Sequence, residues 1–178
     1  VRLDSQALKA KPVGYQAVVA GQRMGGESSW ALWVVKPADD TYQWKFTRTS
    51  VDSGGKVTQS AEVPAADVAM TDSWVQITGV FDAQESWEWT DPSSGSTDTR
   101  YGKLHLYVGE YDQPSEGAAG FTAPQQGGGE LSLSLGRGTA AGSTGNYLLG
   151  SLQDLRLWVG AMTADQVRSQ VLATPDSV

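Results

Sequence analysis

An all-β fold, two antiparallel sheets packed face to face as a sandwich, is what this sequence predicts, and three observations carry the prediction. Twenty-one glycines and seven prolines in 178 residues cut the chain into short apolar runs, too short and too punctuated for helices of ordinary length. Two of the runs, KLHLYV at 103–108 and ELSLSL at 130–135, alternate apolar and polar residues with a period of two, the pattern of a half-buried strand. About eight such runs follow one another with turn residues between them, and closing two sheets over one core is how an all-β chain of this length hides its apolar faces.

Taken in order, the expected strands are 14–21 (GYQAVVAG), 29–36 (SWALWVVK), 41–50 (TYQWKFTRTS), 56–62 (KVTQSAE), 74–82 (WVQITGVFD), 103–109 (KLHLYVG), 130–136 (ELSLSLG) and 148–159 (LLGSLQDLRLWV). In the sixth, Leu104, Leu106 and Val108 share an inward face while Lys103 and His105 point outward. In the seventh, Leu131, Leu133 and Leu135 point inward and Ser132 and Ser134 outward. The eighth places Gln153, Leu155, Leu157 and Val159 on one side, with Asp154, Arg156 and Trp158 on the other, where Asp154 and Arg156 meet cross-strand partners. Thr163 then fits the N-cap of a short closing helix with Gln166 three residues on, a capping box, and Val167 and Val171 lay that turn on the sandwich edge. The stretches 84–102, 110–129 and 136–146 read as loops. Loops longer than about 12–15 residues usually serve a function or are mobile. No repeat of 20–50 residues argues for a solenoid or propeller, and the length suits one domain over residues 1–178.

Composition narrows the partners. The net charge is −7 and the 13 lysines and arginines are scattered singly, so no basic stripe exists to collect phosphates or anionic head groups. Nucleic acid is not an expected partner. Neither is membrane insertion, because no apolar run approaches the roughly 18–20 residues of a span, and VRLDSQALKAK lacks the apolar core of a signal peptide. With no cysteine, disulfides, thiolate metal sites and cysteine nucleophiles are excluded.

Aromatic and acidic residues in the long loops are the candidate site. Trp87, Trp89 and Tyr101, with Asp91 and Asp98 among them, would suit a sugar, since an indole face covers the C–H bonds and carboxylates accept from the hydroxyls. The plainer reading is a hairpin extension with one Trp packed on the rim and the other exposed. Tyr111, Asp112 and Tyr147 join the candidate ligand-binding set from the neighbouring loops, and Arg137 lies at the same rim. Asp91, Asp98 and Asp112 could hold calcium, which takes six to eight oxygen ligands, although their spacing is not that of a dedicated loop; no other cofactor is expected. His105 is the only histidine, and without a G-x-S-x-G nucleophile motif it reads as a sheet-face residue. GRGTAAGSTG lacks the phosphate-loop pattern.

The succession SWVQITGVFDAQ, GKLHLYVGE, GELSLSLGRG and YLLGSLQDLRLWVGAMTADQV resembles bacterial laminin G-like domains of the concanavalin A-like jelly-roll superfamily. The likeness covers about residues 1–170, with Gln153 where the family pattern G-x-I-D-D-V-R-I-Y has its first Asp. It implies a two-sheet antiparallel jelly roll with a short C-terminal helical turn. In the family an element like VRLDS ends an early strand preceded by one or two others, so the chain is expected to lack its first strands and to belong to a longer secreted protein. Jelly-roll glycosidases carry acids at i, i+2 and i+4 on one strand. Here Glu110, Asp112 and Glu116 are misspaced and interrupted by Pro114, so catalysis is not expected. The resulting expectation is a non-catalytic, lectin-like module that binds a glycan or glycosylated surface, and the alternative is an interaction or spacer module in a larger secreted toxin or adhesin assembly.

Overall fold

The computed structural model describes residues 1–24, 27–51, 57–69, 71–109, 115–122, 131–140, 143–144 and 147–172. Among the described residues the fold is mostly β, about 60% strand and 9% helix, with antiparallel sheets and two short helices. The strands are β1 (Arg2–Leu3), β2 (Gln16–Met24), β3 (Glu27–Ala38), β4 (Thr41–Val51), β5 (Val57–Val68), β6 (Gln76–Thr90), β7 (Thr97–Gly109), β8 (Ser115–Gly120), β9 (Leu131–Leu135), β10 (Thr139–Ala140), β11 (Ser143–Thr144) and β12 (Gly150–Ser151). The helices are α1 (Ser5–Lys9) and α2 (Ala164–Leu172). Neither is long and apolar enough to cross a membrane.

Two sheets face each other across one core. The larger has five strands in the order β5-β4-β3-β2-β9, and the smaller has three in the order β6-β7-β8. Period-two patterning puts Tyr42, Trp44 and Phe46 of β4 and Val63 and Ala65 of β5 on the inner face of the large sheet. There they meet Leu104 and Leu106 of β7 and Phe121 just after β8, all buried. The outer face of the large sheet has its own patch of Val18, Ala31 and Trp33, where the Trp33 indole donates to Thr47 Oγ1 at 2.7 Å. The β3–β4 hairpin turns at Asp40, whose φ of 53° is one that Asp tolerates better than most side chains. At one end of the sandwich the Arg48 guanidinium from β4 lies 3.8 Å from the Phe81 ring centroid and 5.2 Å from that of Phe121. Those two rings meet edge to face, 6.0 Å apart.

Asp4 caps α1, accepting from the Ala7 amide at 2.9 Å. The Lys36 ammonium, 2% exposed, donates to the carbonyls of Lys9, the last residue of α1, and of Lys11 beyond it, at 3.2 and 2.7 Å. This end of α1 suits a buried cation because the last helical carbonyls carry no intrahelical bond. The predicted capping box at α2 is present: Gln166 Oε1 accepts from the Thr163 amide at 2.9 Å and Thr163 Oγ1 from the Gln166 amide at 3.3 Å. Val167 then packs on Val80 and Tyr107, on the face of the small sheet turned away from the main core. The Val171 side chain lies outside the described residues.

Four expectations are corrected. The stretch 84–102 is no loop, because β6 and β7 continue through it as a long hairpin turning at residues 91–96. Part of 110–129 forms β8. The run 148–159 is a strand only at Gly150–Ser151, and beyond it Leu155, Leu157, Trp158 and Val159 are exposed. Within it Asp154 takes a φ of 55°, and Asp154 and Arg156 pair with each other, at 2.6 and 2.9 Å. Finally, Leu133 and Leu135 lie on the core side of an edge strand, opposite Gln22 and Ala20, yet are 47% and 48% exposed, because the three-stranded layer does not extend over them.

Candidate functional site

The β6–β7 hairpin departs from the sandwich at a bulge. The pairing shifts register between Asp82 and Ser86, and the Asp82 carboxylate collects the loosened amides of Gln84 and Glu85 at 2.8 and 3.2 Å. Beyond it the ladder resumes with Ser86 opposite Tyr101, Trp87 opposite Arg100, Glu88 opposite Thr99, Trp89 opposite Asp98 and Thr90 opposite Thr97. Directly opposed residues share a face. One face therefore carries Trp87, Trp89, Asp98 and Arg100. The other carries Tyr101, Glu88, Thr99, Thr90 and Thr97, tied by Thr99 Oγ1 donating to Glu88 at 3.0 Å and by a Thr90–Thr97 hydroxyl contact of 3.3 Å.

The expected aromatic cluster is thus divided. Trp87 lies against the backbone of Gly120, where a β-carbon would fall 2.1 Å from the indole, and its indole nitrogen is buried with no protein acceptor. Its place is structural: it joins the hairpin to β8. Trp89 is half-buried under the Arg100 guanidinium, 3.5 Å above its ring, in a cation–π stack. Asp98 is exposed on the same face. Tyr101, 62% exposed, points from the opposite face and cannot join Trp89 around one ligand.

Asp91 belongs to the turn. Its Oδ1 accepts from the Ser93 amide and hydroxyl at 2.8 and 2.7 Å, and these bonds hold its carboxyl below the usual carboxylate range. Tyr147 is exposed, and its carbonyl accepts from the Tyr15 hydroxyl. Tyr111 and Asp112 lie outside the described residues, as do Glu110, Pro114 and the side chain of Glu116. Among the described residues no three His, Cys, Asp or Glu side chains are grouped for a metal ion.

At the hairpin's base is a polar cluster that the sequence reading missed. Glu85, in the bulge, receives Lys103 Nζ on Oε1 at 2.7 Å and meets His105 Nε2 at 2.5 Å on Oε2. His105 stacks on Tyr107, ring centroids 6.0 Å apart. Lys103 and His105 do face away from the core, as expected, but His105 is buried there. Burial alone would push the Glu85 carboxyl up, yet the hydrogen bonds and charges of Lys103 and His105 outweigh it and hold the carboxyl below its ordinary value. A carboxylate so depressed contributes stability that is full above about pH 4.5, its ordinary value, and is lost as pH falls through the lower folded value. Replacing Glu85 by Gln should therefore cost about 1–2 kcal/mol at neutral pH, the lower part of the range for charge-assisted hydrogen bonds because Glu85 is partly exposed. It should also flatten the acid limb of stability against pH. Urea unfolding between pH 3 and pH 7 checks both, and an unchanged acid limb would show that the cluster contributes nothing.

Comparison with family models, with curated proteins and with solved structures returns no match for this chain.

Proposed function

We propose that this domain is a non-catalytic binding module, a jelly roll of the laminin G-like kind acting outside the cell, which takes a carbohydrate on the projecting β6–β7 hairpin. The observation that supports this reading is the face made by Trp89, Arg100 and Asp98. The guanidinium lies along the indole 3.5 Å from its centroid, and a carboxylate stands across the ladder from the same Trp. Apolar ring surface, N–H donors and a carboxylate acceptor are thereby presented together, the combination a sugar ring needs. Cross-strand pairing fixes the register of the three residues and the cation–π stack holds Arg100 on Trp89 before any ligand arrives, which lowers the ordering cost of binding.

A glycan array probed with the intact chain, followed by titration of the best hit, tests this. Trp89→Ala should weaken binding about tenfold or more, equivalent to about 1.4 kcal/mol, with little change in thermal stability. Tyr101→Ala, on the far face, should leave affinity unchanged. An array on which the intact chain retains no glycan, or undiminished binding by the Trp89 variant, would refute the proposal. The exposed leucines of β9 and of residues 152–159 favour the second reading, a docking module in a larger assembly, and a bare array together with capture of a protein partner would select it.

A further inference from the structure

The face that carries Trp89 does not end at the base of the hairpin. Gly120 pairs with Lys103, and directly opposed residues share a face, so a side chain at Gly120 would lie where Lys103 and His105 lie, on the side of the small sheet turned away from the core. The Trp87 ring occupies that place: a β-carbon on Gly120 would fall 2.1 Å from it. Trp87 therefore belongs to the outer face of the small sheet. Trp89, Arg100 and Asp98, which share its face of the ladder, continue the same surface beyond the sandwich.

Simple alternation would have put them on the other side. Counted by twos from Phe81, which packs against the main core, Trp87 and Trp89 would face inward. The register shift between Asp82 and Ser86 and the φ of 104° at Gly102 break that count on both strands. The bulge thus turns the ribbon over, and Glu85 within it reaches Lys103 and His105 on the outer side.

Along this surface one set of side chains occurs twice. Trp89, Arg100 and Asp98 form the outer set, and Trp87, Lys103 and Glu85 form the inner one, again an indole, a cation and a carboxylate. The two indoles are two residues apart, about 7 Å along the strand. Lys103 and Glu85 bond at 2.7 Å, yet their side chains stay 28% and 35% exposed. An ammonium has three donors and a carboxylate several lone pairs, so one mutual bond leaves both with capacity for hydroxyls. His105, mostly buried, positions Glu85. Farther along, Tyr107 is packed against Val167 of α2, which closes the inner end.

We infer that the outer face of β6 and β7 is one track for a linear oligosaccharide, laid from the Trp89 set to the Trp87 set, with Lys103 and Glu85 as its second binding station. The inference rests on the carbohydrate reading above and adds the class of sugar, a chain of repeating units. A single ring meets one set only.

The test is an array of linear glucan, xylan and chitin oligomers graded from one sugar unit to six, followed by calorimetric titration of the series retained best. Affinity of the intact chain should rise about tenfold or more from the single sugar to the hexamer. Trp89→Ala should weaken binding at every length, whereas Lys103→Met should cancel the gain with length. Because Lys103→Met also removes a bond to Glu85, NMR of the intact chain gives a second readout: the hexamer should move the amide resonances of Glu85, Trp87 and Lys103, and the single sugar only those of Trp89 and Arg100. Equal affinity at every length, a gain retained by the Lys103 variant, or shifts confined to the hairpin beyond Trp87 would each overturn the track and leave the Trp89 site standing. Retention of no oligomer would overturn both.

Discussion

Gly102→Ala is expected to destabilise the domain by roughly 3 kcal/mol, because a positive-φ strain of about 1–3 kcal/mol is joined by a backbone collision. Gly102 lies in β7 at the register shift where the hairpin leaves the sandwich, between Tyr101, paired with Ser86, and Lys103, paired with Asp82. Its φ is 104°, a conformation that L side chains rarely adopt. A β-carbon there would stand 2.2 Å from the Phe121 carbonyl oxygen, and Phe121 cannot retreat freely, since its amide donates to the Gly102 carbonyl at 3.0 Å and its ring is buried in the core. Gly95, in the hairpin turn, separates the two contributions: its φ is 71° and nothing lies within 4 Å of a β-carbon. Gly95→Ala should therefore lose only about 1 kcal/mol, the conformational part. Urea unfolding of both variants decides, and equal losses would mean that the approach of Phe121 to Gly102 is unimportant.

Trp44→Ala should cost about 3–5 kcal/mol, the range for truncating a buried large aromatic. Trp44 is 1% exposed and among the largest fully buried side chains of the core. Trp44→Phe should cost far less than the lost ring area suggests. The indole nitrogen of Trp44 is buried with no protein acceptor, and removing an unsatisfied buried donor recovers about 1–3 kcal/mol of desolvation penalty, against the small cavity left by the second ring. Trp33→Phe, by contrast, gives up a real bond to Thr47 and has no such recovery. The comparison of the three by chemical denaturation is the measurement, and a Trp44→Phe loss as large as that of Trp44→Ala would show that the nitrogen is satisfied after all.

How far the sequence foretold this depends on whether each signal was local. Leu104 and Leu106 were legible because both neighbours of β7 are present and one face meets the main core while the other carries Lys103 and His105, so the alternation in the letters is the alternation in space. The Thr163–Gln166 box was legible because a capping pair closes within one helical turn. The β6–β7 hairpin was misread as a loop for the converse reason. Both its faces meet solvent over residues 90–99, so no buried side imprints an apolar period on WTDPSSGSTD, and Ser, Asp and Gly there signal turn rather than strand. Leu155 and Leu157 carry a strand pattern correctly, but a pattern specifies a face and cannot supply the neighbouring backbone that makes a ladder.

The site shows the same division. Trp89 and Asp98 could be picked out as chemistry-bearing residues, and cross-strand register does bring them together. Tyr101 was assigned to the same cluster because it is close in sequence, and one residue of register turned it to the far face. The seat of Trp87 on Gly120 and the union of Glu85 with His105 join segments 33 and 20 residues apart; no spacing rule reaches across a bulge to find them.

Arg48 has a consequence for how the two layers are aligned. Hydrocarbon faces slide over one another at little expense, since one methyl meets another almost as well two residues along. A guanidinium gripped by the edge-to-face rings of Phe81 and Phe121 does not, because an offset of two positions would bring Phe46 or Ser50 against those rings and leave the charge without its aromatic cradle. A single cation between the layers thus serves as a keying pin, fixing which residue of one sheet lies over which residue of the other and so where the hairpin projects.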